Sequence, residues 1–130
     1  MKISGTFEVS IKPMDTYAKG IDGVNLGRMS IDKVFKGELS ADSQGEMLNV
    51  MTPTPGSAGY VAMEQVRGTL SGKQGTFVLQ HYGLKSDDNS ELKLEVVPDS
   101  AIGALQGLTG QMSIRIDGGQ HHYEFEYSLD

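Results

Sequence analysis

The chain has 130 residues, with 11 Lys plus Arg against 17 Asp plus Glu, a net charge of −6. That length builds one domain, residues 1–130, around a single core, and the acidic balance argues against a phosphate-backbone partner, so no nucleic acid is expected. Cysteine is absent, which excludes disulfide scaffolds, Cys-ligated zinc, iron–sulfur centres and thiol catalysis.

The opening residues, MKISGTFEVS, alternate polar and apolar side chains and lack the apolar block of a signal peptide. No apolar run approaches the roughly 20 residues of a membrane helix. A soluble cytoplasmic protein with no membrane partner is therefore expected. Ile3, Phe7, Val9 and Ile11 alternate with polar residues as in a half-buried strand, which Pro13 is expected to end. Residues 13–26 mix Pro, Asp, Gly and Asn and read as a long loop with one helical turn. Strands are expected over about 27–40 and 45–51, joined at Asp42-Ser43. That turn pairs Phe35 with Val50 and Leu39 with Glu46, and it puts Glu46 on the apolar phase. The prolines of TPTPGSAG, 52–59, make a stiff loop. Further strands are expected at about 60–71, 75–85, 91–98, 105–117 and 120–129, with a loop at 98–104. No long amphipathic helix interrupts them.

Eight strands in one small chain must hide their edges. A single closed eight-stranded antiparallel β-barrel, an all-β fold, does so, and a sandwich is the alternative. The 17 glycines fit tight turns and barrel corners.

Turn chemistry sets which residues face one another. A Gly118-Gly119 turn pairs Ile116 with His121, Ile114 with Tyr123 and Met112 with Phe125 on one face. His122 falls on the other face beside Arg115. A turn at Lys73-Gln74 pairs Leu70 with Phe77 and Val66 with His81, and leaves Glu64 diagonal to His81. The inward phase then holds Tyr60, Ala62, Glu64, Val66, Leu70, Phe77, Leu79 and His81.

In an up-and-down barrel alternate loops share an end, so Glu64, His81 and His121 should converge at one mouth. Tyr60 is placed near the rim, with Phe77, Leu79, Ile114 and Tyr123 deeper. An apolar concavity with a few polar groups is the general form of a ligand site. Glu64 and His81 are the candidate acid–base pair; they could equally be a paired structural bridge between strands. With His121 they make two His and one Glu, ligand types that suit zinc or iron, but no local ligand motif supports a metal and none is assigned. His121 and His122, being adjacent in a strand, point to opposite faces. No cofactor is expected, because GKQG lacks the Walker frame and GALQGLTG lacks the dinucleotide spacing.

SGTFEVSIKP (4–13), GRMSIDKVFKGELSADSQGEML (27–48), GSAGYVAMEQVRGTLSGKQGTFVLQHYG (56–83), VVPDSAIGALQGLTGQMSIRI (96–116) and GGQHHYEFEYSL (118–129) carry a family resemblance over nearly the whole chain. Together they resemble the bacterial family catalogued as domain of unknown function 3224. The resemblance implies an antiparallel barrel similar to allene oxide cyclase and the dirigent proteins. It implies no activity, because the family has none established, and no cyclase catalytic motif matches here.

The expectation is a barrel that binds a small, largely apolar ligand in its mouth. The alternatives are an isomerase or cyclase acting on such a molecule, and a ligand-free structural barrel. Val61, Met63, Val78 and Tyr82 lie on the outward phase, and a homo-oligomer through that face is expected.

Overall fold

The computed structural model describes residues 1–129. Nine strands run in chain order: β1 (Lys2–Met14), β2 (Asn25–Gly37), β3 (Leu39–Met51), β4 (Ala58–Leu70), β5 (Lys73–Lys85), β6 (Ser90–Val96), β7 (Ile102–Gly103), β8 (Thr109–Asp117) and β9 (Gln120–Ser128). Each of β1 to β5 pairs antiparallel with the next; β6 pairs with β8, β8 with β9, and β9 with β1. These eight strands close an up-and-down barrel, and the two-residue β7 is an extra strand on β5. Closure gives every barrel strand a neighbour on both sides, although β1 beyond Phe7 and β8 beyond Met112 keep only one partner each.

The loops 15–24, 52–57, 86–89 and 118–119 share one end of the barrel. The other end holds the turns at Glu38 and 71–72 and the segment 97–108. That segment closes its end: Ala101, Leu105 and Leu108 are buried against the core of Leu39, Val66, Leu70, Phe77, Phe125 and Tyr127.

The Gly118-Gly119 hairpin has the expected register, with Asp117 opposite Gln120 and Ile116 opposite His121. Both glycines have positive φ, as a tight two-residue turn requires. The β4–β5 turn lies at Ser71-Gly72 rather than at Lys73-Gln74, with φ of 48° and 85°. Leu70 therefore faces Lys73, and Glu64 faces Leu79 instead of Gly83. The slip is even, so no side chain changes face, and His81 stays diagonal to Glu64.

Four further expectations are corrected. Pro13 does not end β1: it lies opposite Met29, and since β9 pairs only as far as Phe7, its missing N–H faces a free edge. The helical turn expected in 13–26 is a β-turn at Asp22-Gly23, closed by Val24 N–H donating to the Ile21 carbonyl. The last hairpin begins at Thr109, not 105, because Leu105 and Leu108 belong to the closing segment.

The largest correction concerns Asp42-Ser43, which lies inside β3. The chain reverses at Glu38 instead, where Gly37 has φ 117° and the Tyr123 hydroxyl bonds to Leu39 N–H and to the Lys36 and Leu39 carbonyls. Phe35 then faces Ala41, not Val50. Ser43 turns inward and is buried, while Glu46 is exposed and pairs with Arg28.

Candidate functional site

Alternation along β2, β3, β4 and β5 points Lys33, Ser43, Glu64 and His81 into the barrel. Their exposures are 5%, 3%, 0% and 3%. Ionisable side chains are this deeply buried only when paired, and here the pairing is complete. Glu64 Oε1 accepts from Lys33 Nζ at 3.1 Å and from His81 Nε2 at 2.7 Å, and Oε2 accepts from Ser43 Oγ at 2.5 Å. Among the described residues no buried polar side-chain atom lacks a partner.

The backbone makes room for this set. Gly45 lies opposite Glu64, and a Cβ there would come 2.8 Å from the Glu64 Cα. The Lys33 ammonium also sits 4.9 Å from the centre of the Phe7 ring and 5.7 Å from that of Phe35, where aromatic faces favour a cation. Burial alone would push the Glu64 carboxyl up. Against burial stand first the His81 hydrogen bond, then the Lys33 charge and the Ser43 hydrogen bond, and the net shift holds Glu64 below its ordinary value. The carboxylate is therefore the ionised partner of Lys33.

Tyr60 extends the set toward the open end. Its hydroxyl lies 3.2 Å from His81 Nδ1, and the two rings meet edge-on with centres 5.9 Å apart. Gly83, directly across the ladder, accommodates the phenol: a Cβ at Gly83 would lie 2.5 Å from a Tyr60 ring carbon. Burial, and then the Glu64 charge, push the Tyr60 phenol up to about 12, so it keeps its proton at neutral pH.

Tyr60 also lines an apolar cleft of about 280 Å³ at the rim of β3, β4, β5 and β6. Met47, Val50, Leu84 and Leu92 form much of its wall. The volume sits just under the roughly 300 Å³ at which small-molecule pockets begin, which suits a small ligand. Of the residues that line the cleft, Tyr60 alone hydrogen-bonds to the buried set.

The structure thus brings together Tyr60, Glu64 and His81. Glu64 and His81 lie beneath Tyr60 rather than in an open mouth. Phe77, Leu79 and Tyr123 are packed in the closed core, and Phe77 stacks on Phe125 with centres 5.8 Å apart. Ile114 is half-buried against that core.

His121 does not join Glu64 and His81. It is half-buried with its ring 5.1 Å from that of Phe7, and its partner across β1 is Phe7. A hairpin register fixes a residue's face, but strand tilt decides which residues meet around the ring. His122, on the outward face, is also half-buried. Among the described residues no three His, Cys, Asp or Glu side chains form a group that could hold a metal.

Sequence reasoning did not find Lys33 and Ser43. Lys33 had a signal, a lysine in phase with Ile31 and Phe35. Ser43 was hidden by the misplaced turn.

No curated protein matches the chain. A crystal structure of a protein with unknown function from the DUF3224 family, from Shewanella oneidensis MR-1, is 56% identical to it. The match covers 100% of this chain and 98% of that one, with a TM-score of 0.97. The family model described as "Protein of unknown function (DUF3224)" matches residues 3–127. With nearly the whole sequence matched, the chain belongs to the DUF3224 family.

Proposed function

We propose that the barrel binds a small, largely apolar molecule in the rim cleft, with Tyr60 as the polar contact. One observation carries this: Tyr60, one of the residues that line the cleft, also ends a fully paired, buried Lys33–Glu64–His81 chain. A structural ion pair has no need of a hydrogen-bonded extension into an apolar cleft. Binding sites, by contrast, combine apolar walls with a few positioned polar groups held by a rigid scaffold. Glu64 and His81 then act on a bound molecule only through Tyr60, as positioning residues.

A thermal-shift screen of small apolar alcohols, phenols and carboxylates tests the reading. Hits should stabilise the wild type and lose their effect in Leu92→Trp, which fills the cleft from a half-exposed position. Hits that stabilise both proteins equally place binding elsewhere.

Self-association is the second reading. It is favoured by Leu48, Val61 and Tyr82, which form one exposed cross-strand row on the outer face, with Met63 and Leu84 exposed beside it. Sedimentation as a monomer at micromolar concentration would remove that reading and leave the cleft untouched.

A further inference from the structure

We infer that the molecule held in the cleft carries a hydrogen-bond donor, a hydroxyl or N–H group, on its apolar body, and that the Tyr60 oxygen accepts from it. This rests on the cleft being a binding site. The argument is a proton count that starts at the buried end.

An ionised carboxylate can only accept hydrogen bonds. Lys33 Nζ, Ser43 Oγ and His81 Nε2 all converge on Glu64, so each of them supplies the hydrogen. His81 therefore carries its hydrogen on Nε2. The Lys33 ammonium already balances the Glu64 charge. A neutral His81 leaves the buried set with no net charge, whereas an imidazolium would add an uncompensated cation to a closed interior, which is costly.

A neutral ring protonated on Nε2 has a bare Nδ1 that can only accept. Its neighbour is the Tyr60 hydroxyl at 3.2 Å, so Tyr60 donates inward. A phenol has one hydrogen. With that hydrogen committed to His81, the Tyr60 oxygen offers only lone pairs to anything else. A ligand hydroxyl or N–H satisfies them. A ligand ether oxygen or carboxylate brings acceptor against acceptor and gains nothing. The buried Glu64 thus sets the polarity of a group two hydrogen bonds away.

The discrimination expected from one hydrogen bond made or refused is about tenfold in affinity. The test uses three probes on one bicyclic body: 2-naphthol as donor, 2-methoxynaphthalene as neutral acceptor and 2-naphthoate as anionic acceptor. Affinities come from calorimetry, and the methyl resonances of Met47, Leu84 and Leu92 report cleft occupancy. The inference expects 2-naphthol to bind about tenfold more tightly than the other two, and the preference to vanish in Tyr60→Phe. Equal binding of all three with shifted cleft methyls overturns the donor requirement and leaves the cleft site standing. So does a preference for either acceptor, or a naphthol preference that survives Tyr60→Phe. If no probe moves the cleft methyls at millimolar concentration, the binding site itself falls and this inference with it. Two-bond ¹H–¹⁵N spectra of His81 at neutral pH add a ligand-free check: hydrogen on Nε2 is expected, and hydrogen on Nδ1 overturns the proton count.

Discussion

Two inward tyrosines, Tyr123 toward the closed end of the barrel and Tyr60 at the open end, use their hydroxyls differently. At the closed end the Tyr123 hydroxyl accepts from Leu39 N–H at 3.2 Å and donates toward the Lys36 and Leu39 carbonyls at 3.1 and 3.3 Å. All its partners are backbone; a Cβ at Gly5 would lie 2.6 Å from it, and one at Gly37 3.1 Å. It fastens the β2–β3 reversal to β9. At the open end the Tyr60 hydroxyl has a side-chain partner, His81, that leads to a buried charge. Burial raises both phenols, so the contrast is not one of ionisation. A hydroxyl bonded to fixed backbone groups holds geometry. One bonded to an imidazole takes its orientation from a side-chain network.

The largest test of this contrast asks whether the open end also carries stability. Glu64→Ala leaves Lys33 buried without its counter-charge, and such losses cost about 3–5 kcal/mol. Denaturant unfolding should show a loss of that size. The double variant Lys33→Met, Glu64→Gln should recover most of it, because no lone charge remains. A single variant within 1 kcal/mol of wild type would mean that water reaches the pair.

Acid titration sharpens the same point. Glu64 is held below its ordinary value of 4.5, so folding favours its ionised form. The stabilisation is complete above that value and drains away as pH falls through the lowered one. Glu64→Gln should show a flatter acid limb in stability against pH, and an unchanged slope would deny the shift.

Next in size are the two tyrosine settings. Tyr123→Phe removes the partner of Leu39 N–H and of two carbonyls near the closed end, at a cost of about 1–3 kcal/mol. Ligand binding in the cleft should be unaffected. Gly83→Ala puts a Cβ 2.5 Å from the Tyr60 ring and should cost about 1–3 kcal/mol as overpacking does. It should turn Tyr60 away from His81, seen as altered His81 ring resonances. Unmoved resonances would show that the ring yields without leaving its partner.

These two ends were not equally legible in the sequence. The open-end pair came through because period two assigns faces, and an even slip of the β4–β5 turn leaves faces intact: Glu64 and His81 are diagonal in either register. The β2–β3 turn was not legible, because a long-range contact from Tyr123 sets it and no local pattern reports that. Its misplacement hid Ser43 and turned Glu46 inward on paper. Lys33 carries a visible signal, a lysine in phase with Ile31 and Phe35. His121 failed for another reason. Pairwise registers say nothing about the tilt that accumulates around a closed sheet, and that tilt places Phe7, not Glu64, against it.

The smallest effect separates the two hydroxyls most directly. Tyr60→Phe removes one hydrogen bond from a half-buried group, with an expected cost of about 0.5–1.5 kcal/mol, against the larger loss for Tyr123→Phe. The difference follows from what is left behind. Without the Tyr123 hydroxyl, one backbone N–H and two carbonyls lose a partner. Without the Tyr60 hydroxyl, His81 Nδ1 alone loses a partner, while Nε2 keeps its 2.7 Å bond to Glu64. Urea unfolding of the two variants side by side reads the contrast. Equal losses would make Tyr60 a second structural fastening. A smaller loss for Tyr60→Phe, joined to a loss of cleft binding, would mark the open end as the place where this barrel holds a hydroxyl for use rather than for support.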